Sequence, residues 1–159
     1  MPNMLTIHPQ SCVACKTCEI VCSLVKTGEC NPKNARIRIV IFDEEGYYSP
    51  TICLQCKEAW CAQSCPTTAI TRNEKTGALV VDEDKCVGCR MCTLACPFGQ
   101  VFASTATGKA CKCDLCSGDP TCVKFCPTQA IKYEKIDSFP RFKQKAMVGK
   151  VMVASRVEI

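Results

Sequence analysis

The sequence lacks most of the features that mark enzymes and nucleic-acid-binding proteins. Its 159 residues include one histidine, one tryptophan, three tyrosines and six phenylalanines, so few aromatic rings are available to stack on bases. It contains no Gly-x-Ser-x-Gly motif, no phosphate-binding loop and no dinucleotide-binding glycine pattern. We therefore expect a non-catalytic chain that does not bind nucleic acid.

Long apolar runs are also missing. No stretch approaches the roughly 18 apolar residues that a membrane-spanning helix needs, and the longest aliphatic run, residues 37–42, is interrupted by Arg38. Residues 1–20 show no basic segment followed by an apolar run, which is the pattern of a secretory signal. We expect a cytoplasmic protein without a direct membrane span, although a partner with a signal could export it.

Cysteine, in contrast, is abundant. Sixteen of the 18 cysteines form four consecutive quartets, each of which begins Cys-x-x-Cys and ends Cys-x-x-x-Cys. Three quartets end in Cys-Pro, and two continue almost identically, at residues 66–70 and 127–131. The quartets are Cys12, Cys15, Cys18 and Cys22; Cys53, Cys56, Cys61 and Cys65; Cys86, Cys89, Cys92 and Cys96; and Cys113, Cys116, Cys122 and Cys126.

This spacing is typical of iron–sulfur proteins. Bacterial ferredoxins use C-x₂-C-x₂-C-x₃-C-P, in which the fourth cysteine ligates the other cluster of a pair. Quartets one and three have this spacing, whereas quartets two and four have a wider second gap. Disulfides and Cys₄ zinc sites are the alternatives, but neither needs a Cys-x₃-Cys-Pro end after each Cys-x-x-Cys pair. The sequence therefore predicts four 4Fe-4S clusters, all sixteen cysteines as iron ligands, and a role in carrying electrons.

Other candidate ligands are weaker. Cys30 and Cys111 have no partner at ligand spacing, and we expect both to be free thiols. His8, Asp82, Asp84 and Asp114 are further candidates for ligands or proton relays. With sixteen thiolates available, we expect them to be surface or hydrogen-bonding groups instead.

The formal charge of +5 changes sign once the metal is included. An oxidised 4Fe-4S cluster with four thiolates carries about −2, so four clusters bring the total to about −3. The basic residues are therefore interpreted as counter-charge for the clusters. Six of them lie inside or beside quartets: Lys16, Lys57, Lys85, Arg90, Lys112 and Lys124.

Between the quartets, the pattern predicts short strands. A hairpin is expected with strands at residues 69–72 and 78–82, because the turn at residues 74–77 ends in glycine. A second is expected from residues 34–42, through a turn at 43–46, to a strand that begins at Tyr47.

Two further segments are less regular. Residues 98–110 are rich in small and polar side chains and are predicted to be a flexible connector. Residues 132–159 contain no cysteine and are predicted to form an arm that packs on a partner; a terminal strand on the chain's own sheet is the alternative.

These motifs make the sequence similar to a known family. It resembles the four-cluster iron–sulfur subunits of molybdenum and tungsten oxidoreductase complexes, such as dimethyl-sulfoxide reductase, formate dehydrogenase and polysulfide reductase. The resemblance covers residues 5–133 and is carried by Cys12–Cys22, Asn31–Arg38, Cys86–Gly99 and Lys112–Cys116.

The sequence departs from this family in two ways. It has no membrane-anchor segment, and Ala59-Trp60-Cys61 replaces the usual Pro-Pro-Cys. Short forms of this kind accompany tungsten-dependent aldehyde oxidoreductases, their benzoyl-coenzyme A reductase relatives, and some hydrogenases and carbon monoxide dehydrogenases. We favour the tungsten aldehyde oxidoreductase type.

The resemblance implies that quartets share ligands, one with four and two with three. The implied ligand sets are Cys12, Cys15, Cys18 and Cys126; Cys113, Cys116, Cys122 and Cys22; Cys53, Cys56, Cys61 and Cys96; and Cys86, Cys89, Cys92 and Cys65. Pairing of adjacent quartets is the alternative.

The implied fold is α+β, with two bacterial-ferredoxin-like modules, one inserted in the other. The outer module would comprise residues 1–50 and 98–135, the inner module residues 51–97, and the arm residues 136–159.

The implied function is an electron wire between two partners. One would be a catalytic subunit with a tungsten or molybdenum (molybdopterin) cofactor, and the other a flavoprotein or ferredoxin; copies could also stack end to end. The alternatives are a free-standing soluble polyferredoxin, a subunit of a hydrogenase or carbon monoxide dehydrogenase, and a zinc-stabilised interaction module.

Overall fold

The computed structural model describes residues 3–135, so the predicted arm at residues 136–159 lies outside the described residues. Within this range, the chain forms an α+β fold of short strands and helices, as expected. The strands are β1 (Asn3–Ile7), β2 (Ile37–Phe42), β3 (Tyr47–Ile52), β4 (Ile70–Arg72), β5 (Leu79–Val81), β6 (Val101–Ala103), β7 (Ala110–Lys112) and β8 (Ile131–Lys135). The helices are α1 (Thr17–Thr27), α2 (Trp60–Gln63), α3 (Met91–Ala95) and α4 (Thr121–Lys124), with 3₁₀ turns at Pro9–Ser11, Pro32–Asn34 and Leu115–Gly118.

The eight strands form four separate antiparallel pairs: β1–β8, β2–β3, β4–β5 and β6–β7. The first pair joins the two ends of the described chain, with Leu5 opposite Tyr133 and Ile7 opposite Ile131. For residues 132–135 the alternative prediction, a strand on the chain's own sheet, is therefore correct. The other three pairs are local hairpins.

Two of these hairpins were predicted. β4 and β5 lie within a residue of the expected strands, and β2 and β3 flank the expected turn. The strand predicted at residues 34–42 is too long, since residues 32–34 form a 3₁₀ turn before β2 begins at Ile37.

The prediction of a flexible connector at residues 98–110 is wrong. This segment contains β6 and leads into β7, and Val101 is almost fully buried, with 1% of its surface exposed. The turn is closed by the Ser104 N–H, which donates to the Lys109 carbonyl (2.8 Å), and by the Gly108 N–H, which donates to the Ser104 carbonyl (2.9 Å). The signal was present: Thr107-Gly108 repeats the Thr76-Gly77 of the hairpin that was predicted.

The helices hold the third cysteine of each quartet. The third cysteine lies within a helix in every case, at Cys18, Cys61, Cys92 and Cys122. The longest helix, α1, has 11 residues and ends at Gly28, whose φ of 74° lets its N–H donate to the Leu24 carbonyl. No helix within residues 3–135 is long and apolar enough to cross a membrane.

Buried side chains form two small cores. The first includes Leu5 and Ile131 from the strands that join the chain ends, and Ile37 from β2. The second includes Leu79 and Val101 from the two central hairpins. Cysteines are members of both cores, so the sulfur atoms are part of the packing as well as candidate ligands.

Candidate cluster-binding sites

The four Cys-x-x-Cys loops share one backbone conformation. In each, the residue before the second cysteine has a positive φ: Ala14 (53°), Gln55 (51°), Gly88 (71°) and Leu115 (57°). For residues other than glycine this left-handed conformation costs roughly 1–2 kcal/mol, and it persists where the surroundings enforce it. At Gly88 a side chain would also lie 3.1 Å from the Gly108 carbonyl oxygen, so glycine is needed there.

The cysteines converge on four cavities, each lined by four of them. Site 1 is lined by Cys12, Cys15, Cys18 and Cys126; site 2 by Cys22, Cys113, Cys116 and Cys122; site 3 by Cys53, Cys56, Cys61 and Cys96; and site 4 by Cys65, Cys86, Cys89 and Cys92. Each site combines three cysteines of one quartet with one of another. These groups coincide with the four sets that the family resemblance implies, while iron ligation by them stays a prediction.

The sites suit clusters better than single ions. Within residues 3–135, no group of three or more His, Cys, Asp or Glu side chains is placed to hold one metal ion. A Cys₄ zinc site brings its sulfurs to about 2.3 Å from the metal. Here four cysteines instead line each cavity, and four thiolates are the ligand set that a 4Fe-4S cluster requires.

Hydrogen bonds converge on the last cysteine of the Cys-Pro quartets. The Ala69 N–H donates to Cys65 Sγ (3.3 Å), and the Gln100 N–H donates to Cys96 Sγ (3.4 Å). Desolvation raises the pKa of Cys65, but hydrogen bonds from the Thr67 hydroxyl and from backbone amides outweigh it, so the pKa lies below its ordinary value. Such donors stabilise a thiolate and tune the potential of a cluster bound to it.

Cys126 repeats the arrangement of Cys65. Its Sγ lies 3.9 Å from the Thr128 hydroxyl. Desolvation again raises its pKa, and hydrogen bonds from residues 128–131 again outweigh desolvation and lower it. Sites 1 and 4 therefore each contain one cysteine that is stabilised as a thiolate.

Six other cysteines of the four sites have the opposite character. Burial raises the pKa of Cys18 to about 12, and burial likewise raises that of Cys113 to about 12. Burial also raises the pKa of Cys22, Cys61, Cys92 and Cys122. Thiols in such surroundings lose their protons when a metal takes the proton's place, so metal binding and proton release would be coupled.

The sites adjoin one another in the order 1, 2, 3, 4. Cys122 of site 2 is an electrostatic neighbour of Cys18 in site 1, and Cys113 of site 2 is a neighbour of Cys53 in site 3. Gln55 Nε2, in the loop of site 3, donates to the Cys113 carbonyl (2.8 Å). Sites 3 and 4 are joined through the second core, which contains both Cys61 and Cys92.

The weaker candidates lie elsewhere. Cys30 is exposed, Cys111 lies on β7, and neither lines sites 1–4, nor do His8, Asp82 and Asp84. Asp114, by contrast, lines site 2. Its carboxylate accepts hydrogen bonds from Lys26 Nζ (2.8 Å) and from the Cys116 N–H (3.1 Å). It therefore holds a cysteine loop in place, a role that its position between two cysteines could have suggested.

Comparison with known families agrees with this geometry. The model of the 4Fe-4S dicluster domain matches residues 44–136. The chain belongs to the 4Fe-4S dicluster domain family. Its small α+β fold, built of short strands and helices, is consistent with a ferredoxin-like dicluster domain.

Relatives of this dicluster protein include redox subunits. It is 42% identical over 123 residues to the polyferredoxin-like subunit of aliphatic sulfonate oxidoreductase from Pyrococcus furiosus, covering 77% of this chain and 70% of the relative. It is 34% identical over 153 residues to the putative electron transport protein YsaA of Escherichia coli, covering 90% and 96%. Among solved structures, it resembles a chain of the active-site complex BamBC of benzoyl coenzyme A reductase, with a TM-score of 0.50, 24% identity and coverage of 99% and 98%.

Proposed function

We propose that this protein is a non-catalytic electron-transfer subunit that carries four 4Fe-4S clusters in a row. The observation that carries the proposal is the set of four cavities, each lined by four cysteines from two quartets. Bound clusters supply reversible one-electron chemistry. The chain supplies the thiolates, the N–H donors and the apolar surroundings that set the potentials.

The partners follow from the family motifs and the relatives. The Pyrococcus relative is named as a subunit of an oxidoreductase, which supports a catalytic partner for this chain. The quartet spacing resembles that of subunits that serve molybdenum and tungsten enzymes, so we propose such an enzyme at one end of the row and a flavoprotein or ferredoxin at the other.

We also propose the two-module arrangement, with sites 1 and 2 in the outer module and sites 3 and 4 in the inner one. The two separate cores support it. Val101 and Ala110 belong to the core of sites 3 and 4, so we place the boundary of the inner module after β7 rather than at residue 97.

Double substitutions test the sharing of ligands. If Cys12 and Cys126 bind the same cluster, the double variant C12A/C126A should lose no more iron than either single variant. C12A/C22A should then lose the iron of two clusters. Iron and sulfide analysis after anaerobic purification measures this, with about 16 of each expected for the unsubstituted chain. The reverse pattern, with C12A/C22A equal to its single variants, would refute the sharing.

Native purification tests the subunit role. The tagged chain, purified anaerobically from its own organism, should elute with a larger protein, and tungsten or molybdenum should follow the same peak. Elution of the chain alone, with its clusters intact, would overturn the proposal in favour of a free-standing polyferredoxin.

A further inference from the structure

Lys112 differs from the other basic residues near the cysteines. Five of the six lie exposed on the surface: Lys16, Lys57, Lys85, Arg90 and Lys124. Lys112 is 2% exposed, and it is the largest fully buried side chain within residues 3–135. A lysine is rarely buried to this extent unless its charge is compensated.

The hydrogen bonds of Lys112 are those of an ammonium group. Nζ donates to the Leu79 carbonyl (2.9 Å), to Gln55 Oε1 (3.4 Å) and to the Cys113 carbonyl (3.4 Å). Three acceptors match the three N–H groups of a protonated lysine. Gln55 is itself fixed, since its Oε1 also accepts from the Leu79 N–H (2.8 Å) and its Nε2 donates to Cys113.

No carboxylate balances this charge. In the described range 3–135, the ion pairs involve Lys26, Arg36, Lys85 and Lys124, and Lys112 is not among them. Burying a cation in a site of low dielectric without an anion costs several kcal/mol. Its hydrogen-bond partners are neutral carbonyl oxygens, so the candidate anions are nearby thiolates and the groups that they bind. Lys112 directly precedes Cys113 and acts electrostatically on Cys61.

Lys112 lies between sites 2 and 3. It precedes Cys113 of site 2 and donates to that residue's carbonyl. On the other side, Gln55 belongs to the loop of site 3, Leu79 lines that site, and Lys112 acts electrostatically on Cys61. The ammonium group thus faces the two sites at which the halves of the row meet.

We propose that Lys112 is a buried, fixed counter-charge for the two central clusters and that it raises their reduction potentials. This rests on the proposed function, because it needs clusters at sites 2 and 3. An oxidised cluster with its thiolates carries about −2 and gains one more negative charge on reduction. A nearby cation stabilises the reduced form more, and burial keeps water from screening the effect.

The test is a redox titration of intact, iron-loaded protein followed by electron paramagnetic resonance. In K112M, at least one midpoint should become more negative, with a tenfold or larger fall in the ratio of reduced to oxidised cluster at the original midpoint, which is a shift of about 59 mV for one electron. K112R keeps the charge and should titrate like the unsubstituted protein. K57M is the matched control, since Lys57 is likewise adjacent in sequence to a cysteine of a site, Cys56 of site 3, but is exposed; its midpoints should stay unchanged.

Iron and sulfide content separate this proposal from the preceding one. Absence of clusters from the unsubstituted protein would refute the proposed function, whereas full clusters with unchanged midpoints in K112M would refute only the role of Lys112. An equal shift in K57M would also refute it. If K112M fails to retain iron, K112Q decides, because its amide carries no charge but can still donate hydrogen bonds to these carbonyls: a negative shift supports the proposal, and unchanged midpoints overturn it.

Discussion

Replacing Asp114 with alanine should weaken the retention of clusters. The Asp114 side chain is 25% exposed and pairs with Lys26 Nζ (2.8 Å) and Arg36 Nη1 (3.4 Å), which are 14% and 18% exposed. Its second oxygen accepts from the Cys116 N–H, next to three consecutive residues with positive φ, Leu115 to Ser117. D114A would leave two cations without their partner and would release this strained loop.

The size of the effect can be estimated from the burial of the three side chains. Removing one partner of a buried ion pair costs about 3–5 kcal/mol, whereas exposed pairs contribute about 0–1 kcal/mol. For an ion pair whose side chains are mostly covered, the cost of losing one partner lies between these limits, at about 2 kcal/mol. Loss of the hydrogen bond that caps the turn adds about 1 kcal/mol. A total of about 3 kcal/mol corresponds to cluster loss that is roughly 100-fold faster, since each 1.36 kcal/mol is a factor of ten.

The assay is the decay of cluster absorbance in guanidinium under anaerobic conditions. D114N keeps the hydrogen bond to Cys116 but loses the charge, so we expect a destabilisation of about 2 kcal/mol and a roughly 30-fold faster decay of the cluster absorbance. D119A is the control, because the Asp119 and Lys124 side chains of the neighbouring ion pair are 71% and 55% exposed. If D114A decays no faster than D119A, the reasoning from burial is wrong.

Three other predictions use simple measurements. The pKa of Asp114 lies below 3.8, because hydrogen bonds and charge from Lys26 and its other partners outweigh desolvation. The stabilisation by the Asp114 carboxylate is therefore present above pH 3.8 and is lost as the pH falls through the lowered pKa. The ratio of decay rates between D114N and the unsubstituted protein should be constant near neutral pH and approach one in acid, and a ratio independent of pH would contradict this. Serine at both Cys30 and Cys111 should leave the iron content unchanged, and a loss of about four irons per chain would show that one of them is a ligand of a 4Fe-4S cluster. I37A should destabilise the loaded protein by about 2–5 kcal/mol in thermal melting, because Ile37 is 2% exposed, whereas V40A on the same strand, 38% exposed, is the control and should change little.

The sequence predicted the sulfur framework better than the strands. The quartet spacing and the family resemblance placed sixteen cysteines in four groups, and the cavities have the same four groups. The hairpin at β4 and β5 was found from its turn, but the similar hairpin at β6 and β7 was missed. Small and polar residues dominate its turn, and the sequence signal that could have found it is Thr107-Gly108, which repeats Thr76-Gly77. The burial of Val101 and Ala110 is visible only in the structure.

Apart from the grouping of the cysteines, contacts between distant residues could not be predicted. The pairing of β1 with β8 joins Asn3 to Lys135, and neither segment has a strong pattern of its own. Lys112 was grouped with five exposed basic residues because all six lie inside or beside a cysteine quartet. Its burial depends on Gln55 and Leu79, which are 57 and 33 residues away.

These limits have a common physical cause, which is that the regular elements are too short to stand alone. α2 and α4 have four residues and β4 to β7 have three each, whereas isolated helices below about 12 residues and isolated hairpins are marginal in water. Cysteines of sites 1–4 occupy both cores, so part of the packing that other small proteins obtain from apolar side chains must come here from the ligands and what they bind. Local propensity then carries little information about where strands form, and the cysteine spacing is the stronger signal for the fold as a whole. The same reasoning implies that chelation of the iron would remove the helices and hairpins together with the clusters.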